Sequence, residues 1–133
     1  MLKIEHIGIA VKNLTNSIPL YERLLNCQCY KTELVEKEKV NTAFFQTGES
    51  KIELLESTDT EGVIAKFINQ KGEGIHHLAF AVSDLDAEMK RLREAGFTLI
   101  NDQPKKGADN KLVCFLHPKN TNGILIELCM EIS

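Results

Sequence analysis

Four residues, each in its own short string, have the types and spacing to do chemistry. They are His6 in "HIGIAVKNL" (6–14), His77 in "HLAFAVSDL" (77–85), Glu53 in "KIELLE" (51–56) and Glu127 in "ILIELC" (124–129). The two histidine strings align with each other, pairing Ala10 with Ala81, Val11 with Val82 and Leu14 with Leu85. The two glutamate strings echo one another later in each half. A carboxylate inside an otherwise apolar strand is costly unless it is paired. Here that cost recurs at equivalent places. Two imidazoles and two carboxylates form a donor set for a divalent cation such as Co²⁺, Ni²⁺, Zn²⁺, Mn²⁺ or Fe²⁺. The set contains no thiolate, unlike a structural zinc site, and is richer in nitrogen than a calcium or magnesium site.

Such a set needs strands that aim all four side chains into one space. Side chains alternate along a strand. Ile4, His6, Gly8 and Ala10 therefore share one face, and Ile7, Ile9 and Val11 share the other. In the second half His77, Ala79 and Ala81 share the small-residue face, opposite Leu78, Phe80 and Val82. The bulky faces suit a covering helix, and the small faces leave room above a sheet. His76, adjacent to His77, points away from that space, and neither it nor His117 has a counterpart in the repeat. Glu53 falls with Leu55, and Glu127 with Leu125 and Cys129. If the halves are related by a pseudo-two-fold axis, His6, Glu53, His77 and Glu127 converge in one cup.

The elements follow from periodicity and punctuation. A strand over 3–11 precedes a helix capped by Thr15 or Asn16 and running to about Asn26, with Pro19 in its first turn. "CQCYKTELVE", "KVNTAFFQTG" and "SKIELLES" read as three strands. The second half repeats the pattern with a strand over 75–82 and a helix opening at Ser83–Asp84. Leu85, Met89 and Leu92 form that helix's apolar stripe, and Gly96 suits its C′ position. Strands are expected near 97–101, 112–117 and 123–130. Residues 61–71 read as a linking helix with Val63, Phe67 and Ile68 buried. The expected fold is α+β: two tandem βαβββ modules forming a cupped mixed β-sheet with a metal site inside. The domain is expected to be single, 1–133, with module one at about 1–57, the linking helix at about 61–71 and module two at about 73–131.

The 133 residues carry a net charge of −3, with 26% charged residues spread along the chain. No basic block marks a nucleic-acid partner, and no long apolar run marks a membrane span. No leader pattern is seen, and Cys27, Cys29, Cys114 and Cys129 form no C-x-x-C pair, so a cytoplasmic setting is expected. The lysines, including Lys105, Lys111 and Lys119, are expected to lie on a solvated surface.

Five segments, "IEHIGIAV" (4–11), "KIELLE" (51–56), "IAKFI" (64–68), "KGEGIHHLAFAV" (71–82) and "FLHPKNTNGILIEL" (115–128), resemble the vicinal oxygen chelate (glyoxalase/bleomycin resistance/dioxygenase) superfamily. Within it they resemble the methylmalonyl-CoA epimerase family, along nearly the whole chain. The resemblance implies a metal site at His6, Glu53, His77 and Glu127, with Co²⁺ the expected ion in vitro. Many members carry Gln at the position of Glu53. The implied activity is epimerisation of (2R)- and (2S)-methylmalonyl-CoA in propionyl-CoA and succinyl-CoA metabolism. The C2 proton would move through a metal-stabilised enolate. Glu127 is the expected base, and Glu53 is a ligand that assists. A homodimer and an acyl-CoA substrate are also implied. Some members place a catalytic glutamate on the strand matching "KVNTAFF". Here that position is Thr42, expected to contact substrate rather than to take a proton. "GADNK" (107–111) likewise replaces the more usual "GAHGK". Lys119 in the "HPKNTNG" turn is a candidate for the substrate's negative charge. The alternatives within the superfamily are a glyoxalase I-like lactoylglutathione lyase and a non-haem iron dioxygenase. The fourth carboxylate argues against the dioxygenase, and four intact ligands argue against a non-catalytic binding module.

Overall fold

The computed structural model describes residues 1–132. Two compact units divide it, one made of Met1–Glu5 and His77–Ser133, the other of His6–His76. Each contains the same order of strands, with one helix crossing over after its first strand.

In the unit His6–His76, strand β1 (Lys3–Ala10) leads into helix α1 (Leu14–Leu25). Strands β2 (Lys31–Val35), β3 (Val40–Thr47) and β4 (Ser50–Ser57) follow, then helix α2 (Val63–Lys71). Their order across the sheet is β2-β3-β4-β1. β1 runs parallel to β4, so the chain must cross over through α1 between them, while β2, β3 and β4 form an antiparallel meander. The bulky face packs under α1, with Val11, Leu14, Ala43, Phe45 and Leu54 buried and Ile9 and Ile52 against them. The face of the small residues receives α2 at one end, through Ala10, Val40, Leu55 and Ile64.

The helix boundaries correct two expectations. The α1 cap is Asn13, whose side chain accepts from the Asn16 N–H, so the helix opens at Leu14. Pro19 therefore lies beyond the first turn. It is tolerated there because both Pro19 and Thr15, whose carbonyl loses its helical donor, face solvent. In α2, Val63 is 59% exposed and Ile64 is buried instead. With Gly62 as N-cap, positions 64, 67 and 68 form the face toward the sheet, and Val63 falls outside that stripe.

The second unit runs β5 (Gly74–Ala81), α3 (Leu85–Glu94), β6 (Lys105–Lys106), β7 (Lys111–Leu116) and β8 (Ile126–Glu131), ordered β5-β8-β7-β6. β5 is parallel to β8, and β8, β7 and β6 are antiparallel. The N-terminal residues join this unit, with the Leu2 N–H donating to the Ala81 carbonyl at 2.8 Å. Asp84 caps α3 by accepting from the Ala87 N–H, and Leu85, Met89 and Leu92 are buried as the stripe requires. Gly96, at φ 97°, ends the helix while the Phe97 N–H reaches back to the Leu92 carbonyl. The bulky face, Val82, Cys114, Leu116 and Leu128, packs against α3.

Two further expectations fail here. Residues 97–101 form no regular strand, only a bridge between Leu99 and Leu116. The reason is local: the side chain of Asn101, rather than another stretch of backbone, accepts the Phe115 N–H at 2.9 Å, and the ladder stops. Lys111 is not a surface lysine. It is 6% exposed, with its ammonium 3.0 Å from Glu131, its partner in the β7–β8 register.

Candidate active site

In the first unit the parallel β1–β4 register sets Gly8 beside Glu53. A residue without a side chain leaves the Glu53 carboxylate room above the sheet. His6, two residues earlier on β1, occupies the same face, and its Nε2 lies 3.4 Å from Glu53 Oε1. Both residues are 5% exposed. On the other side of β4, Phe44 of β3 stands opposite Glu53.

The second unit repeats this register. Ala79 lies beside Glu127 on the β5–β8 ladder, and Phe115 of β7 stands opposite it. His77 Nε2 lies 3.2 Å from Glu127 Oε1, with the two residues 4% and 6% exposed. Each unit thus holds one histidine–glutamate pair, on the small-residue face anticipated for it. A buried carboxylate beside an imidazole nitrogen is stable either as an ion pair or as part of a metal shell. The donor chemistry of both pairs, imidazole nitrogen and carboxylate oxygen, fits a divalent cation of the transition series.

The adjacent histidines separate as the alternation requires. His76 turns to α2, where its ring meets Phe67 edge-on with centroids 5.0 Å apart. His117 caps the short helical turn at Pro118–Asn120, its Nδ1 accepting the Lys119 N–H at 3.0 Å. Lys119 is exposed in that turn. Thr42 shares the face of Glu53 and Phe44 but is 1% exposed, and its hydroxyl donates to the Glu33 carbonyl at 2.9 Å. Cys114 lies on the opposite face of β7, where burial pushes its thiol up to about 11; Arg93 opposes that shift and Glu127 adds to it.

Sequence reasoning passed over Phe44 and Phe115. Their signal was present in the repeat: "TAFF" (42–45) and "VCFL" (113–116) take the same register against the two glutamate strands, Phe44 to Glu53 and Phe115 to Glu127.

Residues 5–115 match the Glyoxalase/Bleomycin resistance protein/Dioxygenase superfamily. The chain belongs to that superfamily. It is 39% identical to the uncharacterized protein YqjC of Bacillus subtilis, over 97% of this chain and 92% of the relative. It is 35% identical to the ethylmalonyl-CoA/methylmalonyl-CoA epimerase of Cereibacter sphaeroides, over 95% of this chain and 96% of that protein. Among solved structures it resembles the Streptomyces coelicolor methylmalonyl-CoA epimerase in complex with 2-nitronate-propionyl-CoA. The TM-score is 0.93 at 32% identity, covering 100% of this chain and 99% of the other. The fold is therefore the vicinal oxygen chelate fold of epimerase structures, and these relatives support an epimerase. Among the described residues, no helix is long and apolar enough to cross a membrane.

Proposed function

We propose that the chain is a methylmalonyl-CoA epimerase, interconverting the (2R) and (2S) forms by removing and returning the C2 proton. The observation that carries this reading is the repeated pair, His6 with Glu53 and His77 with Glu127, each buried on the small-residue face of its strands. The epimerase relatives supply the substrate class.

In this reading His6, Glu53, His77 and Glu127 hold one divalent metal ion, Co²⁺ being the ion of choice in vitro. Bound there, a divalent cation supplies Lewis acidity, which lowers the cost of negative charge on a thioester oxygen. The protein groups do the rest. The proton at C2 is flanked by a thioester and a carboxylate and is only weakly acidic, so a positioned base is needed. Glu127 takes that role. Inversion requires a proton to leave one face of C2 and return on the other, and Glu53 assists from the opposite module. The small residues Gly8 and Ala79 beside the two carboxylates leave space for the acyl group. Lys119 is assigned to the negative charge of the acyl-CoA, and Thr42, whose hydroxyl is bonded to the Glu33 carbonyl, to a minor substrate contact only. A cytoplasmic homodimer acting in propionyl-CoA and succinyl-CoA metabolism completes the reading. The four free thiols suit a reducing compartment.

Proton NMR of methylmalonyl-CoA in D₂O tests this directly. The C2 proton signal should disappear with the native protein and with Co²⁺-reconstituted protein, with no new product. It should persist after EDTA treatment. Full exchange by protein verified to be free of metal removes the Lewis-acid role. Consumption of a glutathione hemithioacetal, with no exchange at C2 of methylmalonyl-CoA, moves the chain to the glyoxalase I class.

A further inference from the structure

Beside each glutamate, on the neighbouring antiparallel strand, stands a phenylalanine with a lysine over its ring. Phe44 faces Glu53, and the Lys31 ammonium lies 5.9 Å from the Phe44 ring centroid. Phe115 faces Glu127, and the Lys105 ammonium lies 5.5 Å from its centroid. The repeat thus extends past the histidines and glutamates into a second row.

The two copies differ in what the ring touches. Phe44 is 2% exposed and packs against Tyr30, with centroids 6.0 Å apart and planes at 35°. Phe115 is half-buried and meets the His77 imidazole edge-on, with centroids 6.1 Å apart and planes at 85°. That is a favoured geometry for two aromatic rings, because the positive edge of one meets the negative face of the other. Phe115 is itself fixed from outside. Its N–H donates to Asn101 Oδ1 at 2.9 Å, and its carbonyl accepts from the Ile100 N–H at 2.8 Å. One residue therefore spans the pair: its ring contacts His77 and lies under Lys105, it is the cross-strand neighbour of Glu127, and its backbone is anchored by Asn101.

We propose that Phe115 is the positioning residue for the His77–Glu127 pair. Its ring holds the imidazole plane by the edge contact. It also fills the space beside the Glu127 carboxylate, restricting that flexible side chain to the orientation in which it meets His77 Nε2. Groups that orient ligands from outside in this way change affinity and rate without touching substrate. The role rests on the reading that this pair acts in the metal site and in proton transfer.

The experiment compares Phe115→Ala, Phe115→Leu and Phe115→Tyr in the full chain. Three readouts are taken: cobalt affinity by competition with a chromophoric chelator, kcat and KM for methylmalonyl-CoA, and the His77 ring signals in ¹H–¹⁵N NMR of the zinc-loaded protein. The leucine variant restores apolar volume but lacks a ring, so it separates positioning from mere packing. It should keep its melting temperature close to that of the parent yet lose on the order of tenfold in cobalt affinity and kcat, the range seen when an orienting partner is removed. KM should stay within about twofold, because the ring is assigned no substrate contact. The His77 signals should broaden or split. The tyrosine variant, which keeps the ring, should recover all three readouts, and the alanine variant should be no better than leucine. A leucine variant with parental cobalt affinity and an unchanged His77 signal overturns the proposal. If the parent shows no exchange at C2, the epimerase reading fails on its own, and the His77 signal and metal affinity still decide the positioning role.

Discussion

The hydroxyl of Thr42 donates to the carbonyl of Glu33, its direct partner on the β2–β3 ladder, at 2.9 Å. That bond ties the side chain back to its own sheet, and the residue is 1% exposed. By register Thr42 is the equivalent of Val113: each sits two ladder pairs beyond the phenylalanine that faces a glutamate. In the second half that position is filled by a purely apolar side chain. Thr42→Ala is therefore expected to lower kcat by less than about tenfold, or about 1.4 kcal/mol of barrier. Steady-state kinetics with a parallel melting curve checks this. A larger loss of kcat at unchanged melting temperature would show that the hydroxyl leaves Glu33 to bond the substrate.

His76 and His77 are neighbours in sequence and have separate fates. His77 lies 3.2 Å from Glu127, while His76 stacks edge-on against Phe67. Metal analysis of His77→Ala should find the bound cation lost along with activity. His76→Ala should keep most of its metal and lose only a modest amount of stability, since one aromatic pair is worth about 0.5–1.5 kcal/mol. Metal missing from the His76 variant alone would reverse the assignment of the two rings.

The histidine–glutamate pairs were legible because strand alternation and the repeat act together. His6 and His77 stand two residues before the small residues Gly8 and Ala79, which the parallel ladders then set beside Glu53 and Glu127. Period-two patterning also assigned the faces covered by α1 and α3, since the bulky side of each strand has the larger apolar area to bury. What escaped depends on single side chains replacing backbone. The strand expected at 97–101 is cut short because Asn101 accepts the Phe115 N–H through its side chain, which no periodicity encodes. Lys111 reads as surface by type, but it enters the sheet where Glu131 can meet its ammonium. Ile64 replaces Val63 in the core because the first turn of α2 is set by a glycine cap, a one-residue choice that apolar spacing alone leaves open.

Cys114 offers a pH-dependent signature. Burial raises its thiol from an ordinary value of 9.0 to about 11. The unfolded chain then releases this proton at lower pH than the folded chain. The stability from this group is fully present below pH 9 and is lost as pH rises toward 11. Denaturant melts at intervals across this window should show the decline, and Cys114→Val should flatten it. In native protein near pH 8, thiol reagents should label the half-buried Cys27 and Cys29 well before Cys114, which is 0% exposed.

Glu127→Gln separates ligand from base. The amide keeps an oxygen able to coordinate a cation weakly, but it cannot accept the C2 proton. Its shape is nearly that of the parent, so the small-residue face, the Phe115 ring opposite and the His77 contact leave it room. kcat should therefore fall by at least about a hundredfold, the scale of losing a general base, while a measurable fraction of cobalt stays bound. Glu53→Gln should be far milder, because Glu53 is assigned mainly to holding the ion. Turnover and bound metal must be measured on the same samples, since a lost ion mimics a lost base. A Glu127→Gln protein that holds its metal and turns over at near-parental rate removes Glu127 from the proton-transfer role. If Glu53→Gln is then the inactive one, the base lies in the first module, beside His6 rather than His77.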